Sequence, residues 1–149
     1  MVKHNILQKL GAAPDIKINK LGERVHDATG TGTGVFVWAE TVRGAAIAGT
    51  ANGAKGKPNQ QVAEEASEMF ASNIRCCAAV DEHLQDQLII FMALAAGHSE
   101  MLAGPLTMHT QTAIYVCQQL LGVKFSVSML PNGNCMVACN GVGWENKQI

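Results

Sequence analysis

Apolar residues recur at helical spacing along much of the chain and alternate with polar ones elsewhere. Val62, Ala66, Met69, Phe70 and Ile74 share one face at a period of 3.6, which predicts a helix beginning at Asn59. Asn59 is placed to cap it and Pro58 marks its boundary. Glu64, Glu65 and Glu68 lie mostly off that face, and acidic residues near the start suit the helix dipole. A second helix is expected from Asp81 to Ala96, with Leu84, Leu88, Phe91, Met92 and Ala95 as its apolar stripe and Gly97 as its stop. A third runs from about Thr107 or His109 to Leu121, ended by Gly122, with Ile114, Cys117, Leu120 and Leu121 facing inward. Val2 to Leu10 reads as a short helix ending at Gly11.

Strand patterns separate these segments. Val35 to Glu40 is rich in β-branched and aromatic residues and reads as a buried strand. Val42-Arg43-Gly44 turns the chain, and Ala45 to Thr50 returns to complete a hairpin. Ser99 to Leu106 suits a short strand, and Lys124 to Met129 alternates. Pro131-Asn132-Gly133 carries a strong hairpin signal, with Cys135 to Cys139 as the return strand. Ile16-Lys17-Ile18 also alternates, although the first 27 residues show no clear core pattern and the tail from Gly141 looks irregular. The order strand, strand, helix, helix, strand, helix, strand, strand predicts an α/β fold of the two-layer α+β kind, with helices on one face of a mixed sheet.

Composition narrows the picture. With 149 residues and 48% hydrophobic content the chain can bury a sizeable core. A charged fraction of 15% and a net charge of −1 exclude a generally basic nucleic-acid coat but leave room for a local basic pocket. No apolar run approaches the roughly 20 residues that span a bilayer, so no membrane association is expected. The start, Met-Val-Lys-His-Asn, lacks the apolar core of a secretory signal. Cys135 and Cys139 are four apart on a strand and so face the same side, but a structural zinc site needs two close ligand pairs. Five reduced thiols and no metal site are the expectation.

Several residues are candidates for chemistry. The run Thr29-Gly30-Thr31-Gly32-Thr33-Gly34 suggests a phosphate loop, yet a strand follows it where a dinucleotide motif needs a helix, so it reads as a flexible lead-in to the hairpin. Lys55 and Lys57 lie in a glycine-bearing loop before a helix, where they either touch a phosphate or are simply solvated. His83, Asp86 and Gln87 stand at offsets of three and four, on one face of the second helix. An imidazole, an acid and an amide so placed can orient a polar ligand such as a nucleotide, or merely form a solvated first turn. His109 falls between a strand end and a helix start, where backbone N–H groups favour anions and a ring nitrogen can attack phosphorus. Thr107, Thr110 and Thr112 add hydroxyls. His4, His26 and His98 have no partner at ligand spacing and take no role.

The segment from Val80 to Ala95, containing Asp81-Glu82-His83-Leu84-Gln85-Asp86-Gln87, and the segment Gly104-Pro105-Leu106-Thr107-Met108-His109-Thr110-Gln111-Thr112-Ala113-Ile114 resemble the RNA 3′-terminal phosphate cyclase family. The hairpin Gly34 to Gly49, with Ala39-Glu40-Thr41, and the helix Val62 to Arg75 are similar to it as well. The resemblance runs from about Gly30 to the tail, and the two motifs in this order are highly specific. It implies the family's βαβαββ repeat unit. It also implies an ATP-dependent enzyme, a ligase, that adenylates a histidine and passes AMP to an RNA 3′-phosphate end. The neighbouring 2′-hydroxyl then closes a 2′,3′-cyclic phosphate. His109 stands at the nucleophile's position, and Asp86 and Gln87 match residues lining the ATP site. His83 matches a position beside the nucleotide, and Mg2+ would offset phosphate charge. The family's eukaryotic members imply a location in the nucleoplasm, with the cytoplasm as the alternative.

Family members are more than twice as long, and the resemblance covers only their C-terminal part. Residues 1–28 are then expected to be a remnant or linker and 29–149 the C-terminal catalytic portion, in a truncated or fragment form. The missing part carries a glutamine at the nucleotide and arginines that hold phosphates; Arg24, Arg43 and Arg75 stand in no matching motif. Loss of that part should slow nucleotidyl transfer greatly. A truncated sheet would expose an edge suited to homo-oligomer formation. The alternative function is that of a non-catalytic cyclase-like binding protein in RNA processing or ribosome biogenesis. Such relatives lack the histidine motif, so His109 favours the catalytic lineage. A metal-dependent hydrolase would need His83, Asp86 and His109 to converge on one ion.

Overall fold

The computed structural model describes residues 1–11, 17–22, 24, 26–27 and 29–147. The chain divides into two compact units, Met1–Ala39 with Ile47–Arg75 and Glu40–Ala46 with Cys76–Ile149.

The first unit holds α1 (Val2–Leu10), most of a hairpin of β1 (Gly34–Glu40) and β2 (Ala46–Asn52), and α2 (Asn59–Cys76). α1 ends as expected at Gly11, whose N–H donates to the Leu7 carbonyl at 3.1 Å. It lies within the segment expected to be a remnant or linker, and its Ile6 is buried with Ile47 and Phe70. α2 starts at Asn59, where the Pro58 carbonyl accepts from the Gln61 and Val62 N–H groups. Its buried line is Val62, Ala63, Ala66, Ser67, Phe70 and Ala71. Met69 and Ile74, expected on that line, are only half-buried, and the buried line runs instead through the small residues Ala63, Ser67 and Ala71. At Gly49 of β2 a side chain would strike the Ala66 carbonyl and the Phe70 backbone. β1 corrects a second expectation. It buries one face only, through Val35, Val37 and Ala39, while Phe36 and Trp38 point outward and are exposed. Lys17 and Ile18 carry no regular structure, and Ile16, part of the strand expected there, lies outside the described residues.

Ion pairs hold α1 to α2. Lys9 Nζ lies 2.7 Å from Glu64 Oε1 and 2.6 Å from Glu68 Oε2, and Asn5 donates to Glu64. The hydrogen bond from Lys9, then that from Arg75, holds the Glu68 carboxyl below its ordinary range. A depressed folded-state value stabilises the docked helix above the unfolded value near 4.5, and that contribution disappears as pH falls through the folded value. Amide hydrogen exchange at Ile6 should therefore stay constant from neutral pH to about pH 5 after correction for intrinsic rates. It should then accelerate below the ordinary glutamate range. Lys9→Met should remove that acid step.

The second unit contains α3 (Glu82–Leu94), β3 (Ala96–Ala103), α4 (Met108–Leu121), β4 (Phe125–Met129) and β5 (Cys135–Val142). The sheet order is β3-β5-β4, and both pairings are antiparallel. The strand and helix order, and with it the two-layer α/β class, is as the sequence predicts. The described strands form two small sheets, however, rather than one mixed sheet. β5 returns from β4 through the Leu130–Asn134 turn, whose Leu130 N–H donates to the Asn134 carbonyl at 2.8 Å, and then inserts between β4 and β3. β3 and β4 thus run the same way, joined by α4, without being neighbours.

α3 and α4 cover one face of this sheet. Met101 and Ala103 of β3 and Cys135, Val137 and Cys139 of β5 meet Ile89, Met92, Ala93 and Cys117 of the helices. Cys76, Cys117, Cys135 and Cys139 are free thiols, and burial pushes those of Cys117, Cys135 and Cys139 up. Two helical stripes shift from expectation. α3 buries Gln85, Ile89, Met92 and Ala93 and leaves Phe91 66% exposed, while α4 buries Thr110 and Cys117 and leaves Leu120 78% exposed. α3 also stops at Leu94, before Gly97, because Ala95 turns extended (ψ 155°) and β3 begins at once. β3 accordingly spans Ala96–Ala103 rather than Ser99 to Leu106.

The end of α3 crosses β5 at Gly141, where a side chain would meet the carbonyl oxygens of Met92, Ala93 and Ala95. Backbone cannot rotate aside as a side-chain tip does. Gly141→Ala should cost about 1–3 kcal/mol of unfolding free energy, as overpacking does, and urea unfolding measures it.

Candidate active site

The first turn of α3 is fixed by Asp81. Its Oδ1 accepts from the His83 N–H at 3.0 Å and the Leu84 N–H at 2.7 Å, completing an N-cap. His83 is exposed, with Nε2 3.8 Å from Glu82 Oε1. Asp86 and Gln87 follow one turn later on the same side of the helix. Asp86 is half-buried and Gln87 exposed. The Asp86 carboxylate has no hydrogen-bond or ion-pair partner among the described residues, so it is free to meet a ligand.

α4 begins with a second cap. Thr107 is extended (ψ 158°), and its Oγ1 accepts from the Thr110 N–H at 3.1 Å. The Thr107 carbonyl takes the Gln111 N–H at 3.0 Å. The N–H groups of Met108 and His109 have no acceptor among the described residues. Such orphan donors at the positive end of a helix suit an anion. His109 is the second residue of the helix, and its ring is exposed and unpaired among the described residues. A nucleophile needs that access.

Gln85 fixes one helix start relative to the other. It is 1% exposed, and its Nε2 donates to the Pro105 carbonyl at 3.4 Å while its Oε1 accepts from the Thr107 N–H at 3.0 Å. One side chain of α3 thereby clamps the loop that leads into α4. Residue spacing in the sequence singles out Gln87 instead. A signal for Gln85 existed, since it occupies the buried line of Ile89, Met92 and Ala93, where an amide must find internal partners.

His83, Asp86 and Gln87 thus lie together on α3, and His109 lies on the adjoining α4. No hydrogen bond or ion pair joins His109 to the other three among the described residues, so a bound ligand would have to span them. Lys57, the other phosphate candidate, is committed elsewhere in its own unit. It pairs with Glu65 and donates to the Asn52 carbonyl at 3.0 Å. Among the described residues no group of three or more histidine, cysteine, aspartate or glutamate side chains could hold a metal ion.

Sequence comparison gives the family. A family model described as RNA 3′-terminal phosphate cyclase matches residues 1–127. The chain belongs to that family. The match starts at residue 1, ahead of the Gly30 from which the motif resemblance runs, and so includes α1. The chain is 37% identical over 138 residues to an RNA 3′-terminal phosphate cyclase of Pyrobaculum neutrophilum, covering 93% of this chain and 38% of that protein. It is 37% identical over 143 residues to the one of Drosophila melanogaster, with 96% and 40% covered. A protein of Methanosarcina mazei with the same name is 42% identical over 97 residues, or 65% of this chain and 26% of the relative. The chain therefore spans about two fifths or less of the length of these cyclases.

Proposed function

We propose that the chain is the C-terminal catalytic portion of an RNA 3′-terminal phosphate cyclase, with His109 as the adenylate acceptor. The observation that carries this is the exposed imidazole on the first turn of a capped helix whose leading N–H groups are unpaired. A ring nitrogen of His109 attacks the α-phosphorus of ATP, the α–β P–O bond breaks, and pyrophosphate leaves. The Met108 and His109 N–H groups face the negative charge that builds on the α-phosphate oxygens. An oxygen of the RNA 3′-phosphate then displaces the histidine, and the P–N bond breaks. Finally the 2′-hydroxyl attacks the activated 3′-phosphorus, AMP leaves, and the 2′,3′-cyclic phosphate remains.

His83, Asp86 and Gln87 fit the nucleotide side of this site, as hydrogen-bonding groups on one helix face. Mg2+ is held mostly by substrate phosphates with one or two carboxylates, and Asp86 is the open carboxylate here. When bound, the ion offsets phosphate charge. The sequence has no arginine after Arg75 to share that task, so turnover by this chain alone should be slow. A homo-oligomer through the edge strands β3 or β4, and a nucleoplasmic or cytoplasmic setting, go with this reading.

ATP labelled at its α-phosphorus should transfer label to the chain with release of pyrophosphate, and ATP labelled at its γ-phosphorus should not. Label from both, or from neither, contradicts the assignment and favours a cyclase-like binding protein instead.

A further inference from the structure

At the other end of α4 the second unit carries a cavity of about 150 Å³ lined by His98, Lys124, Phe125, Ser126, Ala138, Cys139 and Asn140. Fourteen residues at 1.5 Å each put it about 21 Å along the helix axis from His109. It forms where β4 begins. Phe125 opposes Cys139, so Asn140 has a partner in β3 but none in β4.

Its electrostatics are one-sided. Lys124 is the only lysine between residues 76 and 146, and it has no carboxylate partner among the described residues. No acidic residue lines the cavity. Glu100, the nearby carboxylate, is engaged by His98, whose Nε2 lies 3.0 Å from Glu100 Oε1 and whose Nδ1 lies 3.1 Å from Asn140 Oδ1. Glu100 first, and then Asn140, raises the pKa of the ring above its ordinary value. The Glu100 carboxylate is thus engaged by the imidazole and not by Lys124. Lys124 remains as the uncompensated charge, with the Ser126 hydroxyl as a further donor and the Phe125 ring as an apolar wall.

We propose that this cavity binds one phosphodiester group of single-stranded RNA, with the Lys124 ammonium and the Ser126 hydroxyl on the oxyanion and Phe125 beside the adjoining ribose or base. It would hold the body of the strand whose end reacts at the other end of the helix. The choice of RNA rests on the proposed function; the cation, donor and apolar wall are features of the cavity itself.

The test uses the full chain and a fluorescent oligoribonucleotide ending in a 3′-hydroxyl, without ATP, so that failure of adenylation leaves the measurement untouched. Lys124→Gln should weaken binding about tenfold at low salt, and should reduce the slope of log K against log salt by about 0.7. Lys147→Gln, outside the cavity, should bind as the unmodified chain does. Inorganic phosphate should shift the amide resonances of Lys124, Ser126 and Asn140. Equal affinity of the Lys124→Gln and unmodified chains, or an equal loss in Lys147→Gln, overturns the proposal. Phosphate shifts at those amides without loss of RNA affinity in Lys124→Gln would make the cavity a site for free phosphate and overturn its assignment to RNA.

Discussion

His109→Ala is expected to abolish nucleotidyl labelling from α-labelled ATP, by a factor on the order of 10⁴ or more, as removal of a covalent nucleophile does. The same substitution should leave stability within about 0.5 kcal/mol, because the ring is exposed and makes no internal hydrogen bond among the described residues. Alanine is also a good helix former, so the first turn of α4 and its Thr107 cap should persist. The two readouts together separate a chemical role from a structural one. Label that survives in His109→Ala would place the acceptor elsewhere. Loss of label accompanied by loss of folding would make His109 a structural residue, against its exposure.

Gln85→Leu should have the second largest effect, and of a different kind. Leucine is of similar size and suits the apolar surroundings, so little packing is lost. The Thr107 N–H and the Pro105 carbonyl lose their partner, however, at a cost of about 2 kcal/mol that thermal or urea unfolding would read. The loop then no longer fixes the start of α4 relative to α3. If Gln85 is a positioning residue, labelling by the folded variant should fall about tenfold or more, in its rate constant rather than in ATP affinity. Gln85→Glu, which keeps the acceptor for Thr107, should recover part of the rate. A variant that loses stability but labels at the original rate would limit Gln85 to a structural role.

The site was legible where local chemistry decides it. The sequence starts the third helix at about Thr107 or His109 and stops it at Gly122; in the structure Thr107 caps α4 and Gly122 ends it at φ 67°. Asp81 likewise announces the start of α3. The Asn132-Gly133 turn was equally plain, with Gly133 at φ 86°. What pattern could not settle depends on tertiary packing. Phe91 and Leu120 are apolar yet exposed, and Gln85 is polar yet buried. Hydrophobic periodicity assigns such residues to the wrong side because it weighs transfer free energy and ignores which partner arrives. The placing of β5 between β3 and β4 is likewise a long-range choice invisible in any local window. The pairing of His98 with Asn140 is invisible in the sequence, because Asn140 reaches it only through the β3–β5 register.

The most direct measurement is to locate the nucleotidyl group. The chain is incubated with ATP and Mg2+, digested under non-acidic conditions that preserve a P–N bond, and sequenced by fragmentation mass spectrometry. The account predicts AMP on the imidazole of His109 and on no other residue. AMP found on a lysine or on another histidine such as His83 or His98, or a chain that carries no AMP at all, would contradict it.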